Sequence, residues 1–409
     1  MLNRIWAAFF FVALAAAAYR TFAAGDTAVW AGMVSASFEM AKTAFQIALG
    51  LTGMMCLWLG LMRLGEKGGA VELIARAFAP LLSRLFPGVP KGHPAYGAMI
   101  MNLSANMLGL DNAATPLGIK AMKELQSLNP DPERATDAQI LFLVLNTACF
   151  TLVPASIFVY RAQLGAADPT DVCLPVLMAT FTSTLVGLLV TGLVQRLKLW
   201  DPVVLAYLGG MTAAVAGLLV YFSRLERAEL ERQSSLLSNF LIFAIIMTFL
   251  GLALWRREAV YDTFVAGAKE GFQVAVVIIP YLVAMLVAIG ILRASGALDL
   301  LLDGVRWAVA SLGADTRWVD GLPTALMRPL SGSGSRGMML ETMKTHGADS
   351  FAGRLVCVIQ GSSETTFYIL AVYFGAVGIK RERYAVPVGL TADVAGYTAA
   401  VLLTYLFFT

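Results

Sequence analysis

Long apolar stretches recur along the whole chain, and they constrain its fold more than any other feature of the sequence. A helix needs about 20 residues to cross the hydrocarbon of a bilayer, where only helices and closed barrels satisfy their backbone hydrogen bonds. The stretches therefore predict an all-α, polytopic integral membrane protein. Its nine predicted spans are residues 5–22, 43–64, 138–160, 172–197, 203–222, 236–255, 273–292, 353–379 and 384–408.

The composition of the 409 residues agrees with a lipid environment, because 58% are hydrophobic, 14% are charged and the mean hydropathy is +0.73. A soluble domain carries about 25% charged residues. The 30 basic and 27 acidic residues are too evenly balanced to indicate a nucleic-acid partner. The four cysteines lie in apolar runs without a C-x-x-C pair, so no disulfide framework, metal site or cofactor is expected.

The first apolar stretch resembles a signal peptide in its position and length. Arg20 interrupts it before any convincing A-x-A cleavage site, and further apolar spans follow. We therefore interpret residues 5–22 as an uncleaved first transmembrane helix.

Two segments, residues 93–126 and 322–346, are too polar for unbroken spanning helices. Pro116 and Pro329 remove backbone donors. Non-helical backbone survives at membrane depth only where protein or a wet cavity satisfies its polar groups, so both segments are predicted to be re-entrant or broken helices. Amphipathic stretches precede them, at residues 70–86 and 297–312, and are predicted to lie at the interface.

The sequence contains an internal repeat. Ala41-Lys42-x-x-Phe45-Gln46 recurs 227 residues later as Ala268-Lys269-x-x-Phe272-Gln273, and Pro175-Val176 recurs 212 residues later as Pro387-Val388. Each half runs span, span, amphipathic helix, broken segment, span, span, and the span at 203–222 is left over. The predicted organisation is a first repeat at 1–198, a connector with one transmembrane helix at 199–235 and a second repeat at 236–409.

Charge placement predicts that the two repeats have opposite orientations, because cytoplasmic loops collect Lys and Arg. Residues 63–91 hold five basic and two acidic residues, whereas the equivalent 293–320 hold three basic and four acidic residues. The later loops at 161–171 and 380–383 reverse this contrast. Inverted repeats of this kind are typical of secondary transporters, whose site lies near the midplane where broken helices meet.

Polar side chains in the interrupted segments are the candidate solute-binding groups. Amide and hydroxyl groups both donate and accept hydrogen bonds, which suits a neutral or zwitterionic solute. Arg328 and Arg336 flank a Ser-Gly loop and suit either an anion or anchoring at lipid headgroups. The predicted substrate-binding residues are Asn102, Ser104, Asn106, Asn112, Thr115, Asn146, Arg328, Ser331, Ser333, Gln360, Ser362, Ser363, Glu364 and Thr365.

Two acids lie inside predicted spans, Glu364 in a polar run and Asp393 in the last span. A charge there costs several kcal/mol unless it is paired, solvated or protonated, so both are predicted to couple transport to H⁺ or Na⁺. The alternative is that they only cap or bond neighbouring helices. By the repeat offsets, their equivalents in the first half are Phe150 and Phe181.

No sequence pattern indicates an enzyme. Gly332-x-Gly334-x-x-Gly337 spells a dinucleotide-binding motif, but no strand is predicted before it. Ser331 to Ser335 has no His and acid arranged for nucleophilic catalysis that the sequence shows.

The chain resembles the spore maturation proteins A and B joined into one polypeptide. Residues 1–198 resemble the A protein, notably at Asn102-Leu-Ser-Ala-Asn-Met-Leu-Gly-Leu-Asp-Asn-Ala-Ala-Thr-Pro116. Residues 236–409 resemble the B protein, notably at Arg328-Pro-Leu-Ser-Gly-Ser-Gly334 and Gln360-Gly-Ser-Ser-Glu-Thr-Thr-Phe-Tyr368. The resemblance implies membership in the nucleoside-recognition, or gate, domain group, which includes gate regions of the bacterial ferrous-iron transporter B and is linked to nucleoside transporters.

These observations lead to a functional expectation. We expect a multi-pass protein of a bacterial inner membrane that acts as a secondary transporter or permease, with H⁺ or Na⁺ as coupling ion. The solute is expected to be small and polar, whether nucleoside-like, amino-acid-like or a small organic anion. The alternative is a non-transporting scaffold or assembly factor of the cell envelope. The sequence does not determine the oligomeric state, and both a monomer and a homo-oligomer agree with it.

Overall fold

The two halves of the chain form helices in the same order, on either side of a single connecting helix. The computed structural model describes residues 2–90, 92–109 and 111–409, and side chains for 4–90, 92–109 and 114–409. In the first half the helices are α1 Leu2–Ala24, α2 Ala28–Gly68, α3 Ala70–Leu85, α4 Pro94–Met107, α5 Asp111–Gln126, α6 Asp137–Thr147, α7 Ala155–Gln163 and α8 Cys173–Gln195.

The connector is α9, Pro202–Ser223, and the second half repeats the order of the first. Its short 3₁₀ turn, Arg317–Gly321, leads into α13. By position, α10 to α17 are equivalent to α1 to α8. The helices of the second half are α10 Arg227–Trp255, α11 Val260–Ala294, α12 Ala297–Ser311, α13 Leu322–Met327, α14 Gly332–His346, α15 Phe351–Ser362, α16 Thr366–Gly375 and α17 Ala385–Phe408.

The prediction of an all-α, multi-pass membrane protein is confirmed. Eight helical segments among the described residues are long and apolar enough to cross a bilayer, and they match eight of the nine predicted spans. The ninth, residues 138–160, is not one helix but α6 and α7 separated by residues 148–154. Pro154 explains the break, because it lacks a backbone donor and disfavours helical geometry in the residue before it.

The span predicted at 353–379 is also interrupted, between α15 and α16. Ser363 is extended, with φ −155° and ψ 174°, and Thr365 has φ −83° and ψ 94°. Hydroxyl side chains compete with the backbone for hydrogen bonds, which explains why a Ser-Ser-Glu-Thr-Thr run leaves the helical conformation.

Both segments predicted to be broken are broken, but one break has a different cause. In the second half the break falls at 328–331 and includes Pro329, as predicted. In the first half Pro116 lies inside α5, and the chain turns instead at Gly109, whose φ is +72°. Glycine adopts this left-handed conformation without the steric cost of a Cβ.

The longest helices of the two halves, α2 and α11, pack against each other along most of their length. Gly60 of α2 meets the ring of Phe264, and Met40 of α2 meets Gly290. Residue numbers thus fall along α2 as they rise along α11, so the two helices are antiparallel. The glycines matter because a Cβ on Gly60 would lie 2.6 Å from the Phe264 ring.

The second contact between equivalent helices, α8 with α17, is antiparallel as well. Gly187 packs on Ala392, Gly396 packs on Ser183, and the Ser183 hydroxyl donates to the Ala392 carbonyl at 2.9 Å. The largest cluster of buried apolar side chains combines both halves, with members from α2, α7 and α8 and from α14, α15 and α17. In these two pairs the equivalent helices therefore run in opposite directions, and both pairs contribute to one shared core.

A buried ion-pair network, which we call the buried interlock, joins the loop after α7 to the loop before α15. The Arg161 side chain is 0% exposed and pairs with Asp171 at 2.8 Å and Asp349 at 3.0 Å. It also donates to the carbonyls of Ala348, Pro169 and Asp168 at 2.7, 3.2 and 3.2 Å. Arg354 donates to the other oxygen of Asp171 at 2.8 Å.

The loops at the equivalent positions form a second contact, the exposed interlock. Here residues 131–137 meet residues 380–383 through ion pairs on the surface. Lys380 pairs with Glu133 at 2.5 Å, but these side chains are 72% and 53% exposed. The backbone adds hydrogen bonds, including one from the Ala135 amide to the Arg381 carbonyl at 3.0 Å. The two halves are thus joined at equivalent places, once in a buried and once in a solvated environment.

Candidate functional site

The helix breaks of both halves meet inside the bundle and satisfy one another's backbone. The Leu152 amide, in the break between α6 and α7, donates to the Met107 carbonyl at the end of α4 at 2.8 Å. In the second half, the Phe367 amide donates to the Pro329 carbonyl at 3.0 Å. A third hydrogen bond joins the two halves, because the Glu364 amide donates to the Thr147 carbonyl at 2.7 Å. Non-helical backbone is therefore tolerated here because neighbouring breaks supply its hydrogen-bond partners.

A cavity of about 460 Å³ lies beside these breaks. This volume falls within the range of about 300–1,000 Å³ that is usual for small-molecule sites. The walls come from α2 and α11 of the antiparallel pair, from the α6–α7 break and the start of α7, and from the second half's breaks. Its charged lining residues are Arg63, Glu66, Glu270, Arg328, Arg336 and Glu364.

Arg328 organises the breaks of the second half. Its side chain is 7% exposed, and its Nε donates to the Ser363 carbonyl at 2.8 Å while Nη2 donates to the same oxygen. Nη2 also lies 3.3 Å from Oε2 of Glu364, whose side chain is 44% exposed. Arg328 is therefore placed inside the bundle, where it ties the two breaks together and holds Glu364 at the cavity wall.

An amide network lies behind the cavity wall of the first half. Asn106 lines the cavity and donates to Oδ1 of Asn146 at 2.7 Å. The Tyr373 hydroxyl, from α16, donates to the same oxygen at 3.2 Å. Nδ2 of the buried Asn102 donates to the Ala114 carbonyl at 2.8 Å and lies 3.3 Å from Tyr373. Of these predicted residues only Asn106 reaches the cavity, and Asn102 and Asn146 hold it in place.

Gln360 is the remaining predicted residue that lines the cavity. Ser335 of α14 donates a hydrogen bond to its Oε1, which fixes the orientation of the amide. The cavity therefore combines Asn106, Arg328, Gln360 and Glu364 of the predicted set, from both halves.

Other predicted residues contribute to local structure. Ser331 caps α14 by accepting from the Gly334 amide at 3.0 Å, with Ser333 at 3.3 Å from it. Ser362 donates to the Ile359 carbonyl at 2.9 Å. The Ser363 carbonyl binds Arg328, and Thr365 is buried beside Gly332. Ser104 lines a separate apolar pocket, and Thr115 lies half-buried on α5. The Asn112 side chain lies outside the described residues.

Asp393 lies next to the second-half break and not in the cavity. Its side chain is buried, at 1% exposure, and Oδ2 accepts from the Thr366 hydroxyl at 2.6 Å. Its other oxygen, Oδ1, has no hydrogen-bond partner among the described residues. A buried carboxylate oxygen without a partner is unusual in a folded protein.

Sequence reasoning missed the acidic and basic residues that the two long helices bring to the cavity. The charge pattern assigns Arg63 and Glu66 to a loop, yet both lie on α2 and form an ion pair at 2.8 Å. Glu270 lies three residues before the predicted span at 273–292, whereas α11 begins at Val260. The available signal was the spacing of these residues, which places them on the helical faces that continue from the apolar spans.

Fold and site together define a class of protein: a multi-pass α-helical membrane protein of two repeated halves with a charged cavity at its helix breaks. The family model described as Nucleoside recognition, Gate, matches residues 48–164 and 275–380. The chain belongs to this family. Most cavity residues lie in the matched segments, whereas Glu270 and Val274 of the cavity wall lie outside them, as does the buried Asp393.

Two curated proteins of Bacillus subtilis are similar to the chain. It is 45% identical to Spore maturation protein B over 174 residues, which cover 42% of this chain and 96% of that protein. It is 43% identical to Spore maturation protein A over 148 residues, which cover 36% of this chain and 76% of that protein. These matches confirm the resemblance to a fused A and B protein. No solved structure gave a significant match.

Proposed function

We propose that the protein is a secondary transporter or permease of a bacterial inner membrane, and not an enzyme. It binds a small polar solute in the cavity at the helix breaks. The observation that carries this proposal is the convergence of broken helices from both halves on one charged cavity. Discontinuous helices around a site in the bundle interior are the common construction of secondary transporters.

The antiparallel packing of equivalent helices supports an inverted topology. If α2 and α11 both cross the bilayer, antiparallel packing places their amino termini on opposite sides, and the same holds for α8 and α17. The charge contrast between 63–91 and 293–320 points the same way, although Lys91 lies outside the described residues. Repeats of opposite orientation allow one site to be reached alternately from each side.

Glu364 and Asp393 are the proposed coupling groups. Glu364 lines the cavity and contacts Arg328, so its charge state changes the ion pair that holds the break. Asp393 lies behind the same break and binds Thr366, the first residue of α16. Binding of H⁺ or Na⁺ at either acid therefore acts on the backbone that borders the solute.

The test is flux into proteoliposomes, with uridine, L-alanine and succinate as probes of the three solute classes. The wild-type protein should transport at least one probe, and Glu364→Gln should lose most of that flux and its dependence on an ion gradient. Glu39→Gln, at an exposed position of α2, is the matched control and should transport normally. Flux that is equal in Glu364→Gln removes the coupling role, and absence of flux for every probe in the wild-type protein favours the scaffold hypothesis.

A further inference from the structure

Glu270 is an acidic wall residue of the cavity that the coupling mechanism does not use. It lies on α11, one turn before Val274, and both residues line the cavity. The next residue, Gly271, packs directly on the backbone of Met55 and Cys56 in α2. The position of Glu270 is therefore fixed by a close backbone contact between the two halves.

Among the described residues, the ion pairs of the cavity leave Glu270 without a partner. Glu66 pairs with Arg63 at 2.8 Å, and Glu364 lies 3.3 Å from Arg328. Glu270 makes no hydrogen bond or ion pair with any residue that the structure describes, although it is half-buried. A carboxylate that is partly withdrawn from water in a membrane protein is costly unless a cation compensates it.

Other groups that line the cavity suit a cation that also carries an anionic end. Trp58 of α2 lines the same cavity and is held against Phe158, with ring centroids 6.3 Å apart. Aromatic faces attract ammonium groups. Arg336 lines the cavity with its guanidinium 5.6 Å from the centroid of the Tyr160 ring, and guanidinium groups bind carboxylates.

We infer that the transported solute carries a protonated amine and that Glu270 is the residue that receives it. The full assignment is a zwitterionic, amino-acid-like solute, with its ammonium group at Glu270 beside Trp58 and its carboxylate toward Arg336. This inference rests on the proposed transport function and narrows its solute class. It separates the solute from the coupling ion, because Glu364 and Asp393 lie at the breaks whereas Glu270 lies on the long helix.

The test measures which solutes the purified full-length protein retains in lipid nanodiscs, read by mass spectrometry after gel filtration. The probes are the proteinogenic amino acids, the 2-hydroxy acids that replace their amines, the ribonucleosides and small dicarboxylates, all at equal concentration. The wild-type protein should retain one or more amino acids and not the matching hydroxy acids. Glu270→Gln should retain less amino acid than the wild-type protein, by about tenfold or more, because truncating one partner of a buried charge pair lowers affinity by at least that factor.

Glu39→Gln again serves as the control, and melting temperatures of all variants establish that the fold is intact. Retention of ribonucleosides or dicarboxylates without amino acids overturns the inference and leaves the transport proposal standing. Equal retention of amino acids by Glu270→Gln and the wild-type protein also overturns it. If the wild-type protein retains none of the probes, the transport proposal fails and the inference falls with it.

Discussion

Replacement of Arg161 by methionine should produce one of the largest losses of stability available from a single substitution in this chain. The guanidinium of Arg161 is fully buried and contacts two carboxylates and three backbone carbonyls. Arg161→Met leaves the carbonyls without a donor and leaves Asp171 and Asp349 with less compensation. Removing one partner of a buried ion pair destabilises by about 3–5 kcal/mol, which is a large part of the roughly 5–15 kcal/mol that stabilises a folded domain.

The loss should depend on pH. Burial raises the pKa of the Asp171 carboxyl above its ordinary value, while the charges of Arg161 and Arg354 act to lower it. Without Arg161 the pKa of Asp171 rises further, so the folded variant takes up a proton more readily than the unfolded chain. The stability difference between wild type and Arg161→Met is therefore largest at a pH above the pKa of Asp171 in the folded variant. It becomes smaller as the pH falls through that pKa.

Thermal unfolding in detergent over a pH series measures this effect, and Lys380→Met in the exposed interlock is the matched control. Surface ion pairs contribute about 0–1 kcal/mol, so the control should shift the melting temperature only slightly. The double variant with Asp171→Asn should recover part of the loss, because the uncompensated charge is then gone. A melting temperature for Arg161→Met equal to that of the control would refute the reasoning.

Three further predictions concern the packing of α2 on α11, the buried Asp393 and the topology. Gly271→Leu should separate α2 from α11 and give aggregated protein on fluorescence-detected gel filtration, whereas Gly251→Ala, in open space, should not. Asp393→Asn should make flux independent of pH or sodium, and unchanged dependence would remove its coupling role. Single cysteines at the exposed Ser83 and Ser311, in a cysteine-free background, should react with an impermeant maleimide from opposite sides of the membrane. Reaction of both cysteines from the same side contradicts the inverted topology.

The fold was predictable to the extent that lipid imposes it. A bilayer requires long apolar helices, so the connector predicted at 203–222 is found as Pro202–Ser223. The sites of the helix breaks were less predictable. An average over a window of twenty or so residues hides a short break such as 148–154, where Pro154 was the only local signal. At Gly109 a single glycine sets the turn, and the more conspicuous Pro116 is accommodated within a helix.

The site was predictable where a polar group interrupts an apolar stretch. Glu364 and Gln360 stood out for that reason, and both reach the cavity. Glu66 and Glu270 did not stand out, because they lie beyond the ends of the apolar windows. They reach the cavity because α2 and α11, with total lengths of 41 and 35 residues, extend beyond the apolar windows and pack against each other. Contacts between helices that are distant in the sequence decide which charges face inward. A hydropathy pattern does not predict those contacts.

The chemistry of the two halves diverges where their backbones correspond. Glu364 and Asp393 surround the break of the second half, and the equivalent residues of the first half are Phe150 and Phe181. These two rings pack edge to face with centroids 6.1 Å apart, so an aromatic contact occupies the place of two acids. An aromatic pair holds a break by packing alone and does not respond to protons or cations. Under the transport proposal, control by ions is therefore confined to the second half.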